Sequence, residues 1–233
     1  MTKKTIGIIG AMAPEVEILL GDMKVTRETK IAHASFYEGM LNNQSIVLVE
    51  SGIGKVNASI ITTLLIHHFN VDYVINTGVA GSLHAEVSVT DIVVSSHVIH
   101  HDVDAVNFNY QYGQVPGMPL SYKTDIELLD KVTQIIDNHV DVKMKKGLIV
   151  SGDSFIGDVE MKASIVEKFS DSLSVDMESA PIAQVCYQFD VPFIIIRSIS
   201  DDANDRAEMK YDEFLEIACI NSSNVVKLLL NQM

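Results

Sequence analysis

Apolar runs that stop abruptly at glycine or at small polar residues recur along this chain. The first, Thr5 to Ile9, reaches Gly10 and the loop Ala11-Met12-Ala13. Others run from Tyr73 to Thr77, Asp91 to Val98, Met144 to Val150, Leu173 to Asp176 and Val191 to Ile196. They are too short for free-standing helices and too continuously apolar for a half-exposed sheet, so they predict strands buried on both faces. His33 to Met40 and Ser45 to Glu50 flank Asn42-Asn43 and predict an antiparallel hairpin. Helical patterns fill the gaps. Pro14, suited to a first helical position, opens one that runs to Leu20; others cover Val56 to Phe69, Asp125 to Asn138 and Ala180 to Phe189. A last helix starts near Tyr211, with Phe214, Leu215, Ala218, Val225, Leu228 and Leu229 on a packed face. The stretch from Phe108 to Tyr122 reads as a long aromatic loop. Strand, glycine, helix is the rhythm of an α/β fold.

Composition narrows the picture. Across 233 residues, 47% hydrophobic and 21% charged, no linker-like or low-complexity segment appears, which predicts one domain over residues 1–233. A net charge of −14 without a basic stripe excludes nucleic acid or an anionic membrane as partner. Cys186 and Cys219 fall within apolar helical patterns and read as buried free thiols. The apolar part of MTKKTIGIIG is too short for a secretion signal and no run approaches a membrane span, so the expectation is a cytoplasmic protein.

The strands end where chemistry is expected in an α/β sheet. Arg197, Ser200 and Asp201 follow the run at Ile194–Ile196, although Asp201 is equally suited to capping a turn. Glu15 and Glu178 stand at two further strand ends. Three acids at one sheet edge fit acid/base work of the kind that cleaves a glycosidic bond, one carboxyl group donating a proton and another activating water. The alternative is three dipole partners of helix starts. Neither GAMAPE nor SGIGK has the glycine spacing of a dinucleotide or phosphate loop. The SGIGK turn reads instead as backbone brought close to something. His97, His100, His101, Asp102 and Asp104 lack helical zinc spacing and fit packing or an interface better than a metal. Phe108, Tyr110, Tyr112 and Phe155, with Met12 and Met177, suit either a pocket for a flat ligand or ordinary core.

Taken in order, GIIGAM with the following glutamate, SGIGKVNA, NTGVAGSL, SGDSFI, VDMESAPIA and RSISDDAND resemble 5'-methylthioadenosine/S-adenosylhomocysteine nucleosidases of the purine nucleoside phosphorylase-like superfamily. The resemblance spans Ile6 to Leu229. It implies one α/β domain around a central mixed, twisted sheet flanked by helices, working as a homodimer without cofactor or metal. The implied reaction is hydrolysis of the N-glycosidic bond of 5'-methylthioadenosine, S-adenosylhomocysteine and 5'-deoxyadenosine, in methionine salvage and the recycling of S-adenosylmethionine by-products. By motif, Glu15 would activate water, Asp201 protonate purine N7, Glu178 bind the ribose hydroxyls and Arg197 order the water and Glu178. Met12, Ile53, Val79, Phe155, Ile156, Met177, Ser200 and Tyr211 would contact substrate, the backbone of Ile156 reading the adenine edge. Phe108, Tyr110 and Pro116 would be lent to the partner's 5'-thio pocket. Two positions depart from the family pattern. Ala13-Pro14 replace the first two acids of its usual G-A-M-E-E-E, keeping the third as Glu15, and Val79 stands where many members have serine. A related phosphorylase would need cations for phosphate, yet Gly10–Leu20 and Val74–Thr90 contain no lysine or arginine. For Asp201 to keep a proton near neutrality its pKa must rise by roughly 3 units from about 3.9. Burial and Glu178 or Asp202 would push it up, and Arg197 would oppose them.

Overall fold

The computed structural model describes residues 4–139, 143–203 and 207–233. Met1 to Lys3, part of the expected N-terminal pattern, and Asn204-Asp205 of the RSISDDAND motif lie outside them. Ten strands, β1 Thr5–Gly10, β2 Lys24–Ile31, β3 Ala34–Leu41, β4 Gln44–Glu50, β5 Tyr73–Ser82, β6 Ile92–His100, β7 Tyr122–Lys123, β8 Met144–Ser151, β9 Ser172–Asp176 and β10 Phe193–Asp201, share one mixed sheet. The described helices are α1 Ala13–Asp22, α2 Lys55–His67, α3 Ile126–His139, α4 Val159–Lys168, α5 Ser179–Phe189 and α6 Ala207–Leu230.

Alternate residues of the central strands feed two cores. Ile195 and Val74 pack with Ile61 and Leu65 of α2 and Ile182 of α5. Ile194, Ile196 and Ile75 pack on the other face with Leu19 of α1, Val132 of α3 and Leu229 of α6. Each such aliphatic side chain stabilises the fold by about 1.5–3 kcal/mol when fully buried. The Asn42-Asn43 turn forms as expected: Leu41 pairs with Gln44, and both asparagines take positive φ, the geometry a two-residue hairpin needs.

Two strands run further than the apolar pattern predicts. β5 continues past Thr77 to Ser82, and β10 continues past Ile196 to Asp201. The first half of β5 pairs in parallel with β1, whereas its end, Gly81 and Ser82, pairs antiparallel with β9. β10 follows β5 along its other side, from the Phe193–Val74 pair to the Asp201–Gly81 pair. The pairings β5–β10–β6–β8–β9–β5 therefore close into a small barrel, while β1, β4, β3 and β2 fan out as an open sheet. Where β5 exchanges β1 for β9, the ends of β1 and β9 splay apart. A crevice at a switch of strand order is the expected ligand site of an α/β sheet.

Candidate active site

A cavity of about 430 Å³ occupies this crevice. Ala11, Met12 and Glu15 reach it from the end of β1 and start of α1, Val79 to Gly81 from β5, and Val175 to Glu178 from the end of β9. Ser200 and Asp201 come from β10, with Ile53, Phe155 and Tyr211 on the remaining sides. Of the residues expected to contact substrate, Met12, Ile53, Val79, Phe155, Met177, Glu178, Ser200 and Tyr211 line it. Ile156 does not: its side chain is buried in a satellite core with Ile165 and Phe169. Phe108, Tyr110 and Pro116 are not in the cavity lining of this single chain, and Phe108 is 77% exposed on a short 3₁₀ turn at Val106–Phe108.

Glu15 is almost fully buried in the first turn of α1. Its Oε2 accepts the N–H groups of Ala11 and Met12 at 2.6 and 3.0 Å, and its Oε1 accepts that of Val79 at 3.0 Å. Pro14 beside it has no N–H to satisfy, so replacing an acid there leaves Glu15 in place. Burial raises the Glu15 pKa against the opposing Arg197 charge and the three backbone donors. A Cβ on Gly78 would collide with Glu15 Oε1 and lie 2.6 Å from Arg197 Nη1, so only glycine leaves room there for both carboxylate and guanidinium.

Arg197 lies wholly buried beneath the cavity floor. Its Nε donates to Asp176 Oδ2 at 2.7 Å and its Nη2 to Asn76 Oδ1 at 2.6 Å and Ser179 Oγ at 3.1 Å, with Glu178 Oε2 at 3.9 Å. Nη1, beside Gly78, has no acceptor among the described residues. Asp176 is the main counter-ion. It also accepts from Ser151 Oγ and from the N–H groups of Glu178 and Ser179. Burial alone would raise Asp176, but Arg197 and these donors outweigh it and hold the carboxyl below its ordinary range. With Arg197 so neutralised, burial and then the Asp176 charge push Glu178 well above the usual carboxylate range. Glu178 Oε1 accepts the Gly54 N–H at 2.9 Å, which identifies what the SGIGK backbone approaches.

Asp201, 2% exposed, closes the opposite side. Its Oδ1 accepts the Ala203 N–H and its Oδ2 the Ser200 hydroxyl, both at 2.9 Å. Burial raises its pKa, Asp202 adds to that, and Ala203, Ser200 and Lys162 oppose. The opposing cation is thus Lys162 of α4 rather than the expected Arg197, whose guanidinium is committed to Asp176 and Asn76. Tyr211 donates its hydroxyl to Met12 Sδ at 3.1 Å and meets the Phe155 ring edge-on at 6.1 Å.

Sequence reasoning passed over Asp176, Asn76 and Ser179, which hold Arg197, Ser151, which donates to Asp176, and Lys162. Asp176 carried a signal, since it stands two residues before Glu178 at a strand end. Away from the cavity, His100 Nε2 pairs with Gln184 Oε1, and no group of three potential metal ligands occurs among the described residues.

The phosphorylase superfamily model matches residues 5–231. A 5'-methylthioadenosine/S-adenosylhomocysteine nucleosidase of Exiguobacterium sp. is 52% identical over 95% of both chains. The crystal structure of the Neisseria meningitidis nucleosidase in complex with methylthio-immucillin-A superposes with a TM-score of 0.97 at 40% identity, covering 99% of this chain and 100% of that one. A Colwellia psychrerythraea nucleosidase in complex with adenine gives 0.96 at 41% identity, covering 99% and 96%.

Proposed function

We propose that this chain, which belongs to the 5'-methylthioadenosine/S-adenosylhomocysteine nucleosidase family of the phosphorylase superfamily, uses the cavity between β1, β5, β9 and β10 to hydrolyse adenine 5'-thionucleosides. One observation carries the reading. Four buried acids line a largely apolar cavity: Asp176 is paired with Arg197, while Glu15, Glu178 and Asp201 face the space, and among the described residues the lining contains no lysine or arginine. Such a site suits a reaction that leaves negative charge on a departing purine and positive charge on a sugar, and beyond the single donor of Arg197 beneath its floor the described residues offer no cation cluster to hold a phosphate nucleophile.

Asp201, whose pKa burial raises, gives its proton to N7 as the C1'–N9 bond breaks, so adenine leaves neutral. The ribose passes through an oxocarbenium-like state, stabilised by nearby carboxylate and hydrogen-bonded through its 2'- and 3'-hydroxyls to Glu178. Water attacks C1' as Glu15 takes its proton, and Arg197 Nη1, the donor beside Gly78, orients that water. Met12, Phe155, Met177 and Tyr211 hold base and sugar between apolar faces, with the Ile156 backbone at the adenine edge, Ile53 near the 5'-substituent and Ser200 steadying Asp201. Val79 contributes its N–H to Glu15, so serine is not required for that bond.

The functional unit is residues 1–233 working as a homodimer, in which Phe108, Tyr110 and Pro116 cover the partner's 5'-pocket. The exposure of Phe108, Val56 at 69% and Ile53 at 50% supports this arrangement. Sulfur enters no step above, so 5'-deoxyadenosine is accepted as well. The buried free thiols Cys186 and Cys219 fit a reducing cytoplasm, and the products suit methionine salvage. No described helix is long and apolar enough to cross a membrane. The test is adenine release from all three nucleosides with and without phosphate. Release is expected to be independent of phosphate and to yield the free 5-substituted ribose; a requirement for phosphate and a ribose 1-phosphate product would overturn hydrolysis.

A further inference from the structure

Lys162 lies in α4, an element the apolar pattern does not announce and whose N-terminus is capped by Asp158 accepting the Met161 N–H at 2.7 Å. Its ammonium group, part-buried, donates to two backbone carbonyls, Ser82 O at 2.9 Å and Asp202 O at 2.8 Å. These belong to the residues immediately after Gly81 and Asp201, which are register partners across β5 and β10. One side chain therefore ties together the ends of the two strands between which Asp201 hangs. The tie matters because the pairing slips between Ile199 and Asp201, so the ladder does not by itself fix the last residue. The fit is also close: a Cβ on Gly81 would come within 2.9 Å of Asp201 Oδ1. Beyond Asp201, the Asp202 carboxylate pairs with Lys210 of α6, one residue before Tyr211 in the cavity wall.

We propose that Lys162 is a positioning residue for the proton donor: it fixes Asp201 by clamping the ends of β5 and β10. The inference rests on Asp201 being the donor. Among the described residues, the charged and titratable groups around Asp201 are Asp202 on its own strand end, Lys162 from α4, Lys210 and Tyr211 from α6, and Glu15, Asp176 and Glu178 across the cavity. Among them, Asp202 favours protonation and Lys162 opposes it.

The sign follows. Asp201 acts in its protonated form, so activity falls as pH rises through its pKa; a cation nearby brings that fall to lower pH. Lys162→Met should lower kcat at least fivefold, leave KM within about twofold, and move the alkaline limb of kcat/KM up by roughly 0.5–1 unit. Lys162→Arg, which keeps charge and donors, should leave the limb in place. In an Asp201→Asn background, where no donor remains to be positioned, Lys162→Met should change the residual rate less than twofold. A limb that does not move in Lys162→Met, or an equal loss of kcat in both backgrounds, overturns the inference. Wild-type turnover by Asp201→Asn alone would overturn the donor assignment instead, which separates the two failures.

Discussion

Replacing Gly78 by alanine adds one methyl group at the point where the site is tightest. The new Cβ would meet Glu15 Oε1 in hard overlap, Arg197 Nη1 at 2.6 Å and Glu15 Cδ at 2.8 Å. Ordinary van der Waals contact demands a retreat of about 0.6–1 Å, most for Glu15 Oε1. Neither neighbour can give way freely. Glu15 is held by three backbone N–H groups, and Arg197 by Asp176, Asn76 and Ser179. Overpacking of this kind costs about 1–3 kcal/mol of stability, small enough for the variant to fold. The catalytic cost is larger, because a misplacement near 1 Å of a group that activates the nucleophile lowers the rate by about 10²-fold. Adenine release by Gly78→Ala should therefore show kcat reduced by about two orders of magnitude. Equilibrium binding of adenine, which Glu15 and Arg197 do not contact in the proposed mechanism, should stay within a few-fold of wild type. Turnover within threefold of wild type would refute the claim that the Glu15–Arg197 geometry drives water attack.

Other outcomes follow from the same site. Asp201 has a raised pKa in the folded chain, so the stability associated with its proton is present below the unfolded value and lost as pH rises through the folded one. Asp201→Asn escapes that loss: its Tm should exceed that of wild type at pH 8–9 and match it near pH 4 in calorimetry. Arg197→Met leaves Asp176 as an uncompensated buried charge and should destabilise the fold by about 3–5 kcal/mol in urea titrations; Arg197→Met combined with Asp176→Asn should recover part of it. Tyr211→Phe removes only an O–H···S contact and keeps the ring against Phe155, so kcat/KM should stay within about threefold of wild type.

The apolar runs disclosed most of the central strands because both faces of the sheet are covered, making Ile194 to Ile196 apolar in succession. The same logic concealed the strand ends. Beyond Thr77 and Ile196, β5 and β10 carry Gly78, Ser82, Arg197, Ser200 and Asp201, whose polar groups serve the cavity and the closed barrel while the backbone stays in the ladder. A strand that turns functional looks like a loop. β2, KVTRETKI, was hidden for the opposite reason: it is an edge strand, mostly exposed and held by its pairing with β3. Among the described residues of α4, only Ile165 is buried, so the helix has a weak apolar stripe, and Lys162 went unnoticed with it. The three acids were readable as strand-end residues, and the family motifs supplied their roles. How Arg197 divides its donors depended on long-range packing that no local pattern encodes.

The proposed mechanism turns on Asp201 delivering the proton that releases adenine. It is tested most directly by the turnover of Asp201→Asn on 5'-methylthioadenosine, measured beside its affinity for a non-hydrolysable adenosine analogue. A fall in kcat of about 10²–10⁴-fold with binding retained is predicted, and turnover close to that of wild type would contradict the account.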